Sequence, residues 1–179
     1  MLFSACLSLY ASFVLSTDAV RLAANPKVGL PCNLNEVINC SAVARSWQAG
    51  LFGFPNAFLG LMAEPVVITI AVASLAGVRF PRGFMLAAQI VYGLGFVFAY
   101  WLFFESTFVI GALCPYCMIV WAVTIPAAVL IFTRNVAQDL IKVTPRTKMI
   151  ITTAAWPTII LLYVVIAGSI LLRFGEAMF

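Results

Sequence analysis

The chain has 179 residues, 64% of them hydrophobic and 9% charged, with a net charge of +4 and a mean hydropathy of +1.11. Soluble domains run at about 45–50% apolar and 25% charged, so ten basic and six acidic side chains cannot keep this chain dispersed in water. An ordinary soluble enzyme and a disordered chain are excluded, and a net +4 is too small to imply a nucleic-acid partner.

A helix crossing a bilayer needs about 20 mostly apolar residues, and five stretches meet that need. The first, about 2–23, ends on Asp18 and Arg21, three apart and able to pair on one helix face. It has no basic leader and no clear small-x-small cleavage site, so a retained helix is expected. Cys6 within it is expected to be a small buried apolar residue. A loop of about 25–55 follows, carrying Cys32 and Cys40. The second span, about 56–78, holds Glu64 beside Pro65. A carboxylate inside a membrane is a functional candidate by default, with a local bend at Pro65 as the plainer alternative. The third span, about 84–104, carries Gly93 and Gly95; the fifth, about 149–172, carries Gly168. Small residues at such places are expected to allow close helix approach. The fourth span, about 114–132, opens on Cys114-Pro115-Tyr116-Cys117, after a turn at Glu105–Leu113. Pro126 and Pro157 are candidate kinks. The fold expected is an all-α membrane protein, one domain over residues 1–179.

Basic residues set the orientation. Arg79 and Arg82 follow the second span, and Arg134, Lys142, Arg146 and Lys148 follow the fourth. These six are expected in the cytoplasm, while Arg21, Lys27, Arg45 and Arg173 are spread along the other side. The long loop and the Glu105–Leu113 turn then lie outside, with the lipid bilayer as solvent.

That orientation puts Cys32, Cys40, Cys114 and Cys117 on the oxidising side, where disulfides persist. Two cysteines three apart at a helix start can close a small disulfide, and the helix N-terminus favours a thiolate on the first. Pro115 suits the first helical position, where its missing N–H costs nothing. Met118 and Trp121 follow Cys117 at one and four residues, so Cys117 and Trp121 share a face suited to a flat, apolar redox partner in the bilayer. Taken alone, Cys32 and Cys40 read as a structural staple, and zinc would require all four cysteines because there is no histidine. No metal is expected. Together, a loop pair and a helix-start pair favour a thiol relay.

These residues resemble the vitamin K epoxide reductase family in its bacterial five-helix form. The resemblance rests on Cys32, Cys40-Ser41, Ser46-Trp47, Phe52-Gly53-Phe54-Pro55-Asn56, Gly60 and Cys114-Pro115-Tyr116-Cys117, over about 130 residues. The unrelated DsbB-type oxidases carry their Cys-x-x-Cys first in the chain; here it comes second. The resemblance implies a four-helix bundle around a quinone (menaquinone or ubiquinone), capped by the outer loop, with a fifth helix alongside. It implies a membrane thiol oxidoreductase in the bacterial inner membrane that reoxidises a periplasmic thioredoxin-like, DsbA-type partner. Electrons would pass from Cys32 and Cys40 to Cys114 and Cys117, each by thiolate attack on a disulfide, and then to the quinone pool. Cys40 would exchange with Cys114, and Cys117 would face the quinone. Ser46 matches a serine of the family, and Asn56 an asparagine that contacts the quinone carbonyl in the animal enzyme. Trp121 stands where that enzyme has a tyrosine, so the hydroxyl is missing here. A thioredoxin-like domain, fused in bacterial relatives, is not in this sequence, so a separate partner is expected. From the residues alone, Asn56 reads equally as the N-cap of the second helix, and Ser46 as loop scaffolding. The alternatives to a relay are reduction of vitamin K or its epoxide as the main reaction, and a non-catalytic membrane subunit whose disulfides are structural.

Overall fold

The computed structural model describes residues 1–178. Its regular structure is helical: α1 (Leu2–Ala24), α2 (Cys40–Ala44), α3 (Ala57–Leu75), α4 (Arg82–Phe104), α5 (Pro115–Ala137) and α6 (Pro145–Met178). All but α2 are long and apolar enough to cross a membrane. At about 1.5 Å per residue, the 23 residues of α1 span roughly 35 Å, against a hydrocarbon core of about 30 Å. The chain is therefore a multi-pass membrane protein, and α2 with the 3₁₀ turn Trp47–Gly50 forms the cap over one end.

Several helix ends differ from expectation. α5 runs to Ala137 rather than residue 132, and α6 begins at Pro145 rather than 149. Both extensions carry polar residues that an apolar-run reading discards, although the backbone hydrogen bonds continue through them. The expected turn at Glu105–Leu113 is largely helical: α4 continues as one wide π-type turn over Glu105–Ile110. Gly111, at φ +71°, stops it in the left-handed region that glycine tolerates. Ser106 then holds both sides of that stop, its hydroxyl donating to Ala112 O and its carbonyl accepting from Ala112 N at 3.2 Å. Pro65, Pro126 and Pro157 all lie inside continuous helices.

α1 is the spine, packed on α3 and α5, and α5 also packs on α4 and α6. α3 and α4 hardly meet, so the four-helix bundle is open along one side. The buried face of α1 is Ala5, Ser8, Ala11, Ser12, Ser16, Asp18 and Leu22. Cys6 lies off that face and is exposed, which corrects its expected burial. A thiol facing lipid loses little, so apolar character alone does not bury a residue in a membrane. The expectation for the glycines also fails. A Cβ at Gly93, Gly95 or Gly168 would meet nothing within 4 Å, because α4 and α6 turn those positions to open space. The close approach is at Gly60 of α3, where a Cβ would lie 2.1 Å from Ser12 Oγ of α1.

Asp18 and Arg21 pair at 3.7 Å, as their spacing predicts, with the carboxylate buried and the guanidinium largely exposed. At the far end from the cap, Arg82 Nε donates to Leu140 O at 2.8 Å, and Lys148 pairs with Asp139 at 2.8 Å. A cavity of about 420 Å³ also lies at that end, among Ser74, Arg79, Arg134 and Gln138.

Candidate functional site

Two short segments bring four sulfurs to one end of the bundle. Asn39 caps α2, its side-chain oxygen accepting from Ala42 N at 3.0 Å, which makes Cys40 the first residue of that helix. Just upstream, Ile38 pairs with Leu113 as in a parallel strand: Leu113 N donates to Val37 O at 2.7 Å, and Asn39 N to Leu113 O at 3.0 Å. Leu113 leads into Cys114, the N-cap of α5, with Pro115 at the first helical position. This backbone splice sets Cys40 and Cys114 side by side, their sulfurs 3.4 Å apart.

Cys32 and Cys40 form a disulfide, while Cys114 and Cys117 are thiols. The residues that follow the two loop cysteines clamp the bridge. Ser41 N donates to Asn33 Oδ1 at 3.0 Å, and Asn33 Nδ2 donates to Ser41 Oγ at 2.8 Å. Cys32, Cys40 and Cys114 are almost dry, packed among Leu22 and Leu30 with Tyr116 and Cys117 beside them. Among the described residues no three Cys, Asp or Glu side chains converge as a metal site.

Cys114 is built to carry a thiolate, which makes it a good leaving group in exchange. A hydrogen bond from the Cys117 side chain is the largest influence and holds the Cys114 thiol below its ordinary pKa. The backbone N–H groups of Cys117 and Tyr116 act the same way, as the free amides of a helix N-terminus should. Burial and the carboxylate of Asp18 oppose them without reversing the direction. A thiolate favoured at Cys114, in contact with a sulfur of the Cys32–Cys40 bridge, is the geometry of thiol–disulfide exchange.

The other sequence candidates lie around the cap and along α5. Asn56 occupies the N-cap position of α3 without a side-chain capping bond, so the capping alternative is not realised. Its Nδ2 instead donates to Gln48 O at 2.6 Å, and its Oδ1 is buried with no partner. Gln48 Nε2 in turn donates to Glu105 Oε2 at 2.9 Å, tying the 3₁₀ turn to the end of α4. Ser46 Oγ donates to Val43 O at 2.7 Å, a bond that fastens the end of α2. Trp121 is half-buried, edge-on to Phe103 with ring centroids 5.1 Å apart. Met118 is half-buried in the first turns of α5.

Aromatic rings of the cap bridge the open side of the bundle. Trp47 meets Trp101 and Phe52 meets Phe98, both on α4, while Phe54 meets Phe58 on α3. In the half away from the cap, a cavity of about 40 Å³ lies between Val67 and Ile70 of α3 and Met85, Ala88 and Tyr92 of α4, with Met1 and Ile131 also lining it.

Sequence reasoning missed Asn33, Gln48 and Glu105, and gave Ser41 no role of its own. Asn33 and Ser41 directly follow the two loop cysteines, which was the available signal. Nothing local marks the Gln48–Glu105 pair, because its partners are 57 residues apart.

The family model described as vitamin K epoxide reductase family matches residues 1–132, which takes in the cap, α3, α4 and most of α5. No curated protein matches the chain.

Proposed function

The chain belongs to the vitamin K epoxide reductase family, a family of membrane oxidoreductases; on that premise we propose that it is a quinone-linked thiol oxidoreductase that reoxidises a thioredoxin-like, DsbA-type partner outside the cytoplasm. In this reading the Cys32–Cys40 pair takes two electrons from the partner's dithiol and hands them to Cys114–Cys117, which delivers them to a membrane quinone. The basic residues at the end away from the cap support a cytoplasmic location for that end and an extracytoplasmic one for the sulfurs. All 179 residues are read as one domain of this function.

The observation that carries the reading is the 3.4 Å contact between Cys40 and Cys114. The steps balance as follows. With the loop pair reduced, the Cys40 thiolate attacks Cys114 of a Cys114–Cys117 disulfide and expels Cys117. The Cys32 thiolate then attacks Cys40 and expels Cys114. The loop disulfide is restored and the helix pair becomes a dithiol, the state in which the sulfurs of this structure stand. Cys40 faces Cys114, which leaves Cys32 as the sulfur the partner meets.

The residues present suit a quinone. The gap between α3 and α4 opens to lipid, its roof is aromatic, and Asn56 offers a buried oxygen that lacks a partner. Bound there, a quinone supplies a two-electron acceptor that leaves into the bilayer as quinol. Asn56 would donate its second Nδ2 hydrogen to a quinone carbonyl, and its Oδ1 would accept from the hydroxyl of the quinol, with Met118 and Trp121 as apolar walls. Ser46 would act at one remove, by fixing the turn from α2 into the 3₁₀ segment that carries Gln48.

The test is Cys117→Ala in the purified protein with the reduced partner and a short-chain quinone. Quinone reduction should vanish while a mixed disulfide with the partner still forms. Full quinone turnover by the variant would overturn the assignment. Vitamin K epoxide as sole acceptor, in the same assay, separates epoxide reduction from quinone reduction.

A further inference from the structure

Below the sulfurs, each of the four bundle helices contributes one polar side chain to a single layer inside the membrane. Glu64 of α3 is 8% exposed, and Ser8 of α1 donates to its Oε1 at 2.6 Å. Tyr92 of α4 lies beside Thr124 of α5 and within electrostatic reach of Glu64. Thr124 spends its own proton on Val120 O, 2.7 Å away. Glu64 Oε2 is buried and has no hydrogen-bond partner, and no cation pairs with Glu64 among the described residues. An ionised carboxylate with a single hydroxyl donor and an orphan oxygen is costly at this depth. A protonated carboxyl is not.

The layer is in register with the redox residues. On α5, Cys117, Trp121 and Thr124 fall at i, i+4 and i+7, one helix face, so Thr124 lies about 10 Å below Cys117 at 1.5 Å per residue. On α3, Asn56, Gly60 and Glu64 fall at successive steps of four, again one face. That face is held against α1 by the Gly60–Ser12 contact. Trp121, set between Cys117 and the layer, carries no hydroxyl that could serve an acceptor's oxygen.

We propose that Glu64 holds a proton on Oε2 and passes it towards the quinone during its reduction. The inference rests on the quinone reading above. The overall change balances without any further reagent. Cys114 and Cys117 lose two electrons and two protons and join as a disulfide, and the quinone gains both to leave as quinol. Glu64 holds one of those protons in transit and is refilled by a proton released from the thiols. Ser8 keeps the carboxyl oriented, and the dry surroundings keep the proton on it between turnovers.

Infrared difference spectroscopy on the whole protein in lipid nanodiscs, comparing a bound short-chain menaquinone with its quinol, tests this directly. A protonated-carboxyl band should change on reduction, shift when glutamate is labelled with ¹³C, and be absent in Glu64→Gln. Single-turnover reduction of the quinone by the pre-reduced protein should slow tenfold or more in Glu64→Gln and recover in part in Glu64→Asp. Exchange between the Cys32–Cys40 and Cys114–Cys117 pairs, followed by thiol labelling, should stay at the wild-type rate. A ¹³C-labelled wild-type protein without the band, or a Glu64→Gln protein that reduces quinone at the wild-type rate, overturns the proposal. A labelled wild type without the band overturns the proposal even if Glu64→Gln fails to fold, and Glu64→Asp then assigns a band that is present to Glu64 by its loss from the labelled-glutamate signal. Wild-type protein that exchanges thiols but reduces no quinone would instead sink the quinone reading, with the carboxyl band still reporting on the proton.

Discussion

The sulfur end and the open side between α3 and α4 are built by opposite means. At the sulfur end, a loop is fixed to a helix start by the Ile38–Leu113 splice, the Asn33–Ser41 clamp and a disulfide, and water is nearly excluded. Between α3 and α4 the helices hardly touch, and rings from the cap reach across at the sulfur end. The contrast follows from what each region handles. Exchange between sulfurs requires contact and a fixed line of attack, so that region is assembled in advance. A lipid-dissolved acceptor must enter and leave, so its side of the bundle stays unzipped.

Cutting the connection between the two regions should have the largest effect. Cys114→Ala leaves the Cys32–Cys40 bridge reducible by a small dithiol protein, while quinone reduction falls to the rate without protein. Stopped-flow quinone absorbance together with thiol labelling reads both, and persistent quinone reduction would mean that the regions are not linked through Cys114.

A second test compares packed and open helix faces. Gly60→Ala forces a Cβ to within 2.1 Å of Ser12 Oγ, and overpacking of this kind costs about 1–3 kcal/mol. Gly93→Ala meets open space and should be neutral, or stabilising by up to about 1 kcal/mol through helix propensity. Unfolding midpoints in detergent should separate the two variants; equal midpoints would show that α1 and α3 are not locked at this point.

The clamp contributes less. Asn33→Ala leaves Ser41 N–H without its acceptor, at a cost of about 1–2 kcal/mol. The loop should then open more often, and Cys40 of the reduced protein should be alkylated faster. Unchanged alkylation would mean that the splice at Leu113 alone holds the loop.

The smallest effect is one of pH. Because Cys114 sits below the ordinary thiol pKa, its thiolate persists to lower pH, and exchange at Cys114 should weaken only as pH falls through that lowered value. Cys117→Ala removes the largest contributor, so the midpoint of Cys114 alkylation against pH should move upward. A midpoint that stays put would assign the effect to the helix N-terminus alone.

Helix number and class were legible in the sequence because five apolar runs of bilayer length leave little choice. The ends of α5 and α6 were not, since their last turns are held by backbone bonds that hydropathy does not register. The π-type turn at Glu105–Ile110 was hidden for a similar reason: its stop depends on Gly111 and on Ser106 bonding forward to Ala112. The cysteine spacing pointed to two pairs but could not supply their separation, which is set by backbone pairing between segments 75 residues apart at Ile38 and Leu113. Asn56 was read as a cap or a ligand contact; the cap is not made, and its Nδ2 donates to Gln48 O, a partner that the folded cap provides. Glu64 was conspicuous as an acid within an apolar run, yet its setting became visible only when Ser8, Tyr92 and Thr124 arrived from other helices.

The central claim is that Cys40 and Cys114 are the point where electrons cross from loop to helix. A protein carrying Cys6→Ser, Cys32→Ser and Cys117→Ser retains only those two cysteines, with their sulfurs placed 3.4 Å apart. Mild oxidation in membranes, followed by digestion and mass spectrometry, should recover a Cys40–Cys114 disulfide as the main product. Two free thiols, or cross-links only between molecules, would contradict the account.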